Sequence, residues 1–438
     1  MRIFLCLLFL LISFSQSFGG DDIEQRIKSI EDTLKSHKKA IAEQEQFLNE
    51  LKEQKDASKD IKTGTDLKTK ATTTATGILG NPASSNPNIS LLLNTFVYTS
   101  NLKESEITGK YFPAHVGELG LKNGFNLESA ELFLFAPVDP YFNLYASIPI
   151  TFLGIEIEEA YFVTTTLPAG FQIKGGKFRS NFGRINSQHA HQWDFADSPL
   201  PYPAFLGGDG IREVGMQLTY LPDIPVYTLM GIELLQGANE VLFNSDSNSR
   251  SGPNGFTTFI KTSFDTTDNS TLLFGPSLIK GKTNTKSIAQ GTEFKGESTL
   301  YGFELTHKWK HSKGRGLITQ SEYFQHIQKG ELKGAAGAVD SLTRVRDGFY
   351  VQSVYQLDRW RFGARYSATN LFKNESILAG ARTDTDEMPW KATGSIEFSP
   401  TEFSLIRFQY NNSKLVYSQD TNHEFILQVT MGIGAHAA

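Results

Sequence analysis

Between residues 176 and 210 the sequence gathers the side chains best suited to hold or steer a charged ligand. The stretch reads Gly176-Lys177-Phe178-Arg179-Ser180-Asn181-Phe182-Gly183-Arg184, then Gln188-His189-Ala190-His191-Gln192-Trp193-Asp194-Phe195-Ala196-Asp197. It continues through Pro199, Pro201 and Pro203 to Phe205 and Gly210. His189, His191, Asp194 and Asp197 offer imidazoles and carboxylates, the donor set that suits a divalent ion such as zinc. Their spacing matches no established zinc signature, and hydrogen bonding to a protein wall is the commoner fate of such groups. Arg179 and Arg184, with Arg361, Arg365 and Arg407 further along, could form a basic strip that favours anions. Glu128, Glu156, Glu158, Glu322 and Glu397 fall on comparable stretches and argue instead for a surface of mixed sign. Nucleophilic catalysis needs a hydroxyl, a base and an orienting group in one place, and neither a Gly-x-Ser-x-Gly elbow nor paired helical histidines occur. An enzyme is therefore not expected and no cofactor is implied, a divalent metal at His189, His191, Asp194 and Asp197 being the one candidate. The single cysteine, Cys6, leaves no disulfide framework or cysteine zinc site.

The elements that must position these residues are strands. From Ile89 onward, stretches of ten to fifteen residues alternate apolar and polar with period two and are rich in Phe and Tyr, of which the chain has 33 and 15. Sixteen are expected, at 89–98, 125–136, 141–152, 155–166, 170–179, 211–221, 225–236, 255–264, 270–282, 297–310, 315–329, 346–357, 360–371, 389–398, 402–412 and 422–433. Each reaches the roughly 9 to 11 tilted residues that cross an outer membrane, whereas soluble sandwich strands run nearer five or six. Their connections alternate in length. Short turns fall at 137–140, 168–169, 222–224, 265–269, 311–314, 358–359 and 399–401; long connections fall at 99–124, 180–210, 237–254, 283–296, 330–345, 372–388 and 413–421, with 153–154 the exception. That is the pattern of an up-and-down barrel. In 360–371, Trp360, Phe362, Ala364 and Tyr366 share one face, and Arg361, Gly363, Arg365 and Ser367 the other. The fold class expected is an all-β transmembrane barrel of about 16 antiparallel strands spanning 89–438, with an N-terminal α-helical coiled coil.

Ahead of the barrel, Arg2 and an apolar run from Ile3 to Phe14 precede Ser15-Gln16-Ser17. This is the layout of a secretory signal peptide over 1–17, too short for the roughly 20 residues of a membrane-spanning helix. Residues 21–59 lack Gly and Pro and set Ile27, Leu34, Ile41 and Leu48 at one heptad position, with Ile23, Ile30, His37, Gln44 and Leu51 at the other. A periplasmic coiled coil is expected, with a homotrimer favoured through residues 23–51 because branched residues occupy both core positions. Residues 60–88, rich in Lys, Thr, Asn and Pro, form a linker. Charge excludes a nucleic-acid partner: residues 21–60 carry 8 basic and 11 acidic groups, and the net charge is −5.

The motifs at 176–184 and 188–195, with Gly210-Ile211-Arg212-Glu213-Val214-Gly215, Asn86-Pro87-Asn88-Ile89-Ser90 and Gly434-Ala435-His436, resemble the outer-membrane porin families that include the phosphate-selective porins and a group often labelled zinc-regulated outer-membrane receptors. The resemblance implies a Gram-negative outer-membrane location among lipid. It also implies that the connection 180–210 folds inward to constrict a pore, with Arg179, Arg184, His189, His191, Trp193, Asp194 and Asp197 at the constriction and Arg361, Arg365 and Arg407 on the lumen wall. Passive diffusion of small hydrophilic solutes or ions is the function expected. A metal-binding, zinc-linked receptor and a structural tether to the cell wall stand as alternatives. The terminal Ala437-Ala438 departs from the aromatic residue on which such barrels usually finish.

Overall fold

A computed structural model describes residues 87–102, 123–243, 252–286, 293–334, 337–382, 388–415 and 420–434. The expected signal segment, coiled coil and all but the end of the linker lie outside these residues. The strands are β1 Asn88–Ser100, β2 Gly124–Pro137, β3 Phe142–Thr151, β4 in two pieces (Gly154–Ile155 and Glu159–Thr164), β5 Phe171–Arg179, β6 Arg212–Tyr220, β7 Tyr227–Leu235 and β8 Gly255–Thr267. They continue as β9 Ser270–Lys286, β10 Glu293–Ser312, β11 Arg315–Lys333, β12 Val339–Leu357, β13 Trp360–Leu378, β14 in two pieces (Ala381–Arg382 and Trp390–Thr401), β15 Ser404–Lys414 and β16 Asn422–Ile433. Each pairs antiparallel with its neighbours, and the ring closes where Leu91 of β1 sits opposite both Leu132 of β2 and Ile433 of β16. All sixteen expected strands are present.

Register explains which side is greasy. Reading across the ladder, Tyr355, Phe362, Ile396, Phe408, Leu427, Val97 and Phe125 stand directly opposite one another on successive strands, all on the exposed outer face. The adjacent row, Gln356, Arg361, Glu397, Arg407 and Gln428, points inward. A slip of one residue would exchange the two rows, and each Lys or Arg turned to lipid at mid-depth would cost about 2–4 kcal/mol. Beside the short turns the outer face carries Tyr141, Trp309, Trp360 and Phe403, as an interfacial aromatic girdle does.

Two departures from the expected boundaries have physical causes. The connections at 283–296, 330–345 and 372–388 are shorter than expected, because β9 to β13 reach 17 to 20 residues. Pairs such as Lys282 with Glu297 and Lys329 with Thr343 continue the ladder. Apolar residues are sparser there and do not keep a regular alternation, with Phe294 and Leu342 buried and Phe372 and Ile377 exposed, so backbone pairing persists where the side-chain pattern that marks a strand has weakened. The fourth strand, expected without a break over 155–166, is interrupted at 156–158. Neighbouring residues of a regular strand face opposite ways, yet Glu158 and Glu159 are both buried. The break turns both carboxylates inward, with the Glu158 N–H still donating to Ser147 O at 2.9 Å.

Candidate functional site

The connection between β5 and β6 lies inside the barrel. Its base is closed by the Ser180 N–H donating to Ile211 O at 2.9 Å, and by the Asn186 side chain, which donates to Ser180 O at 2.8 Å and accepts from the Ile211 N–H at 2.7 Å. From there the chain makes two single 3₁₀ turns, Ile185–Ser187 and Ala190–Gln192, and a short proline-rich helix α1, Pro201–Leu206. Pro at the first helical positions has no orphan N–H to satisfy, which suits a helix this short.

One side of the loop is an apolar core. Phe182, Ile185, Tyr202, Phe205 and Leu206 bury against inward residues of the wall, among them Leu235, Ile279, Leu300, Phe324 and Tyr350. Burying a phenylalanine contributes about 1.5–3 kcal/mol, which offsets the roughly 1–2 kcal/mol per residue spent in ordering the backbone. The wall makes room with glycines on its inner face. A Cβ at Gly302 would come within 2.8 Å of the Phe182 ring, one at Gly348 within 2.8 Å of Phe205, and one at Gly363 within 3.0 Å of Phe195.

The polar edge of the loop is fastened at three places. At the first, Glu322 of β11 accepts from the Tyr202 and Tyr350 hydroxyls at 2.7 and 2.6 Å and from the Arg184 N–H at 2.6 Å. At the second, Asp197 is ion-paired to Arg365 and to Lys391 (2.7 Å) and accepts from Gln409 (2.8 Å) and Asn411 (3.1 Å). Burial would raise the Asp197 pKa, but Lys391 and Arg365 override it and hold the carboxyl well below its ordinary value. Beside it Asp194 pairs with Arg361, while Arg407 donates to Trp193 O at 2.9 Å and pairs with Glu397 at 2.7 Å.

The third fastening involves the histidines. His189 Nε2 lies 2.7 Å from Glu159 Oε2, and its Nδ1 lies 3.1 Å from Glu131 Oε1 and 3.6 Å from Glu158 Oε2. His191 Nδ1 lies 2.9 Å from Glu131 Oε2. Burial opposes a charge on His189, but the surrounding carboxylates of Glu131, Glu158 and Glu159 carry its pKa up to about 11. Glu158 also pairs with Arg179, whose backbone N–H donates to Glu159 at 2.6 Å.

These contacts decide between alternatives that the sequence left open. His189, His191, Asp194 and Asp197 do not form one donor cluster, because the turn at 190–192 sends the two aspartates to arginines and lysine on β13 and β14. The partners of the histidines are Glu131, Glu158 and Glu159, of which only Glu158 was singled out from the sequence, and then as a wall charge. Nor do the arginines form an unbroken basic strip: Arg179, Arg361, Arg365 and Arg407 each face a carboxylate, and the inner surface is mixed. The sequence reading missed Lys391, Gly302 and Gly348, and it placed Gly363 on the face of Arg361 without giving it a role; the alternation in 390–398 already places Lys391 on the inner face.

No family model matches the sequence. An uncharacterised protein of Aquifex aeolicus (strain VF5) is 42% identical over 376 residues, covering 80% of this chain and 79% of that protein. Among solved structures, the anion-selective porin from Comamonas acidovorans superposes with a TM-score of 0.53 at 7% identity, over 80% of this chain and 100% of the porin. The outer-membrane channel DcaP of Acinetobacter baumannii gives 0.51 at 12% identity over 81% and 99%. OmpT, an outer-membrane protein of Vibrio cholerae, gives 0.50 at 11% identity over 81% and 99%. At such identities the likeness is one of fold.

Proposed function

The chain belongs to the same family as the Aquifex aeolicus protein and has the barrel fold of outer-membrane porins, and on that premise we propose that it is an outer-membrane channel for the passive diffusion of small hydrophilic solutes or ions. The observation that carries this reading is the 180–210 loop, folded inward and fastened to β2 and β4, to β11 and to β13–β15. A loop held at so many points makes a fixed constriction rather than a swinging lid, and solutes are sorted there by size. Arg184, His189, His191, Trp193, Asp194 and Asp197 are proposed as the residues that set the constriction, with Arg179, Arg361, Arg365 and Arg407 as its wall charges; His189, His191 and Asp197 act by holding the loop to the wall rather than by lining the opening. Because these charges are largely paired, we infer weak selectivity between anions and cations; the resemblance of 176–195 to phosphate-selective porins does not outweigh that pairing. Residues 23–51 are proposed to trimerise as a periplasmic coiled coil after removal of 1–17.

The test is a salt-gradient reversal potential across planar bilayers holding the refolded mature chain, with liposome swelling in sugars of increasing size. Stepwise openings, a reversal potential near zero and a sharp size cut-off support the proposal. A barrel that inserts but neither conducts nor admits any sugar overturns it.

A further inference from the structure

The cluster joining the loop to β2 and β4 has a chemistry that a size filter does not require. We propose that Glu131, Glu158, His189 and His191 form a binding site for one zinc-class divalent cation, which clamps the loop to the barrel wall. The donor atoms of Glu131, His189 and His191 all lie within 4.8 Å of one another. Zinc bonds of roughly 2.0–2.2 Å set tetrahedral donors roughly 3.3–3.6 Å apart; His189 Nδ1 lies 3.6 Å from Glu158 and 3.1 Å from Glu131, and His191 Nδ1 lies 2.9 Å from Glu131, so a bound ion would spread the two closer pairs by a few tenths of an ångström.

The surroundings orient three of the four donors, those of His189, Glu131 and Glu158, as a metal ligand needs. Glu159 takes the Nε2 side of the His189 ring at 2.7 Å, so the proton belongs on Nε2 and the Nδ1 lone pair faces the cluster. Carboxylates that fix ligating histidines in this way are the usual outer partners of a metal. Ser147 donates to Glu131 Oε1 at 2.6 Å, and Arg179 engages Oε1 of Glu158, which leaves the Oε2 atom turned toward His189. The competing occupant is a proton on Nδ1, making His189 an imidazolium among three carboxylates. Its geometry is poor: Nδ1 is buried, lies close to two carboxylate oxygens, and makes an in-line hydrogen bond with neither. A cation between the donors needs no such alignment. An N/O set of two imidazoles and two carboxylates suits zinc or cobalt over magnesium or calcium.

The site stands or falls separately from conduction. The untagged mature chain, refolded metal-free in detergent, is titrated with Co2+ and read by its visible d–d absorption, and then with Zn2+ by equilibrium dialysis. One ion per chain with the intense bands of four-coordinate cobalt is expected. Glu131→Gln and His191→Gln should each weaken binding at least about 100-fold, and Glu159→Gln about 10- to 100-fold through the orientation of His189. His326→Gln, which alters a buried histidine on β11, should bind as wild type. Heat-modified electrophoretic mobility shows that each variant has folded. A folded wild-type barrel that takes up no more Co2+ than the His189→Gln/His191→Gln double variant overturns the proposal and leaves the imidazolium as occupant. Conductance without metal binding sinks this site alone, and metal binding without conductance sinks the channel alone.

Discussion

At the scale of single residues, Asp197 carries most of the attachment to the far wall. It brings together Arg365, Lys391, Gln409 and Asn411 from three strands, and the Arg365 guanidinium also lies 4.6 Å over the Phe195 ring. Asp197→Asn leaves two buried cations without their counter-charge, a loss of about 3–5 kcal/mol. We expect trypsin to cut the loop of that variant in detergent while the wild-type loop stays protected; equal protection would show that the apolar core alone holds the loop. The pH dependence follows from the same group. A carboxyl whose pKa is lower folded than unfolded contributes stability above its unfolded value of about 3.9 and loses it as pH falls through the folded value. Wild-type thermal stability should therefore fall as pH drops below about 4, and Asp197→Asn should fall less steeply over that range.

Among the elements, the inner-face glycines are the determinants least visible beforehand. Gly302→Val places side-chain atoms where the Phe182 ring sits, within 2.8 Å at the Cβ alone, while the outer face of β10 is untouched. The barrel should form and the loop should be expelled, seen as a larger sugar size cut-off in liposome swelling; an unchanged cut-off would mean that the socket does not position the loop. Period-two alternation made all sixteen strands legible, because the membrane enforces it on every spanning residue, as in Trp360 through Ser367. Where that pressure stops, legibility stops too: β9 to β13 run on through Lys280-Gly281-Lys282-Thr283 and Lys329-Gly330-Glu331 with no apolar face to mark them. The Trp, Phe and Pro content of 180–210 suits a loop that packs onto something, but its inward fold was implied only by the resemblance to porins. The partners of its histidines were not legible, since Glu131 reads as one more lumenal carboxylate and Glu158-Glu159 breaks the alternation. Their meeting with His189 is set by a three-residue interruption of β4 and a single 3₁₀ turn.

For the whole molecule, β1 closes onto both β2 and β16 and the charges of the inner surface are largely paired, the architecture required by the proposed channel, in which one internal loop sets throughput. The heptads at 23–51 add a prediction at this scale: deleting 21–59 should convert cross-linked trimers to monomers without abolishing the conductance of each barrel, and trimers that persist would locate the contact on the barrel wall instead. The central claim is tested most directly by single-channel conductance of the wild type against a variant in which residues 187–206 are replaced by a short Gly-Ser linker between the intact ends at Ser180 and Ile211. A several-fold rise in conductance with the barrel still folded is the result expected if the loop is the constriction. Equal conductance in the two proteins would contradict it.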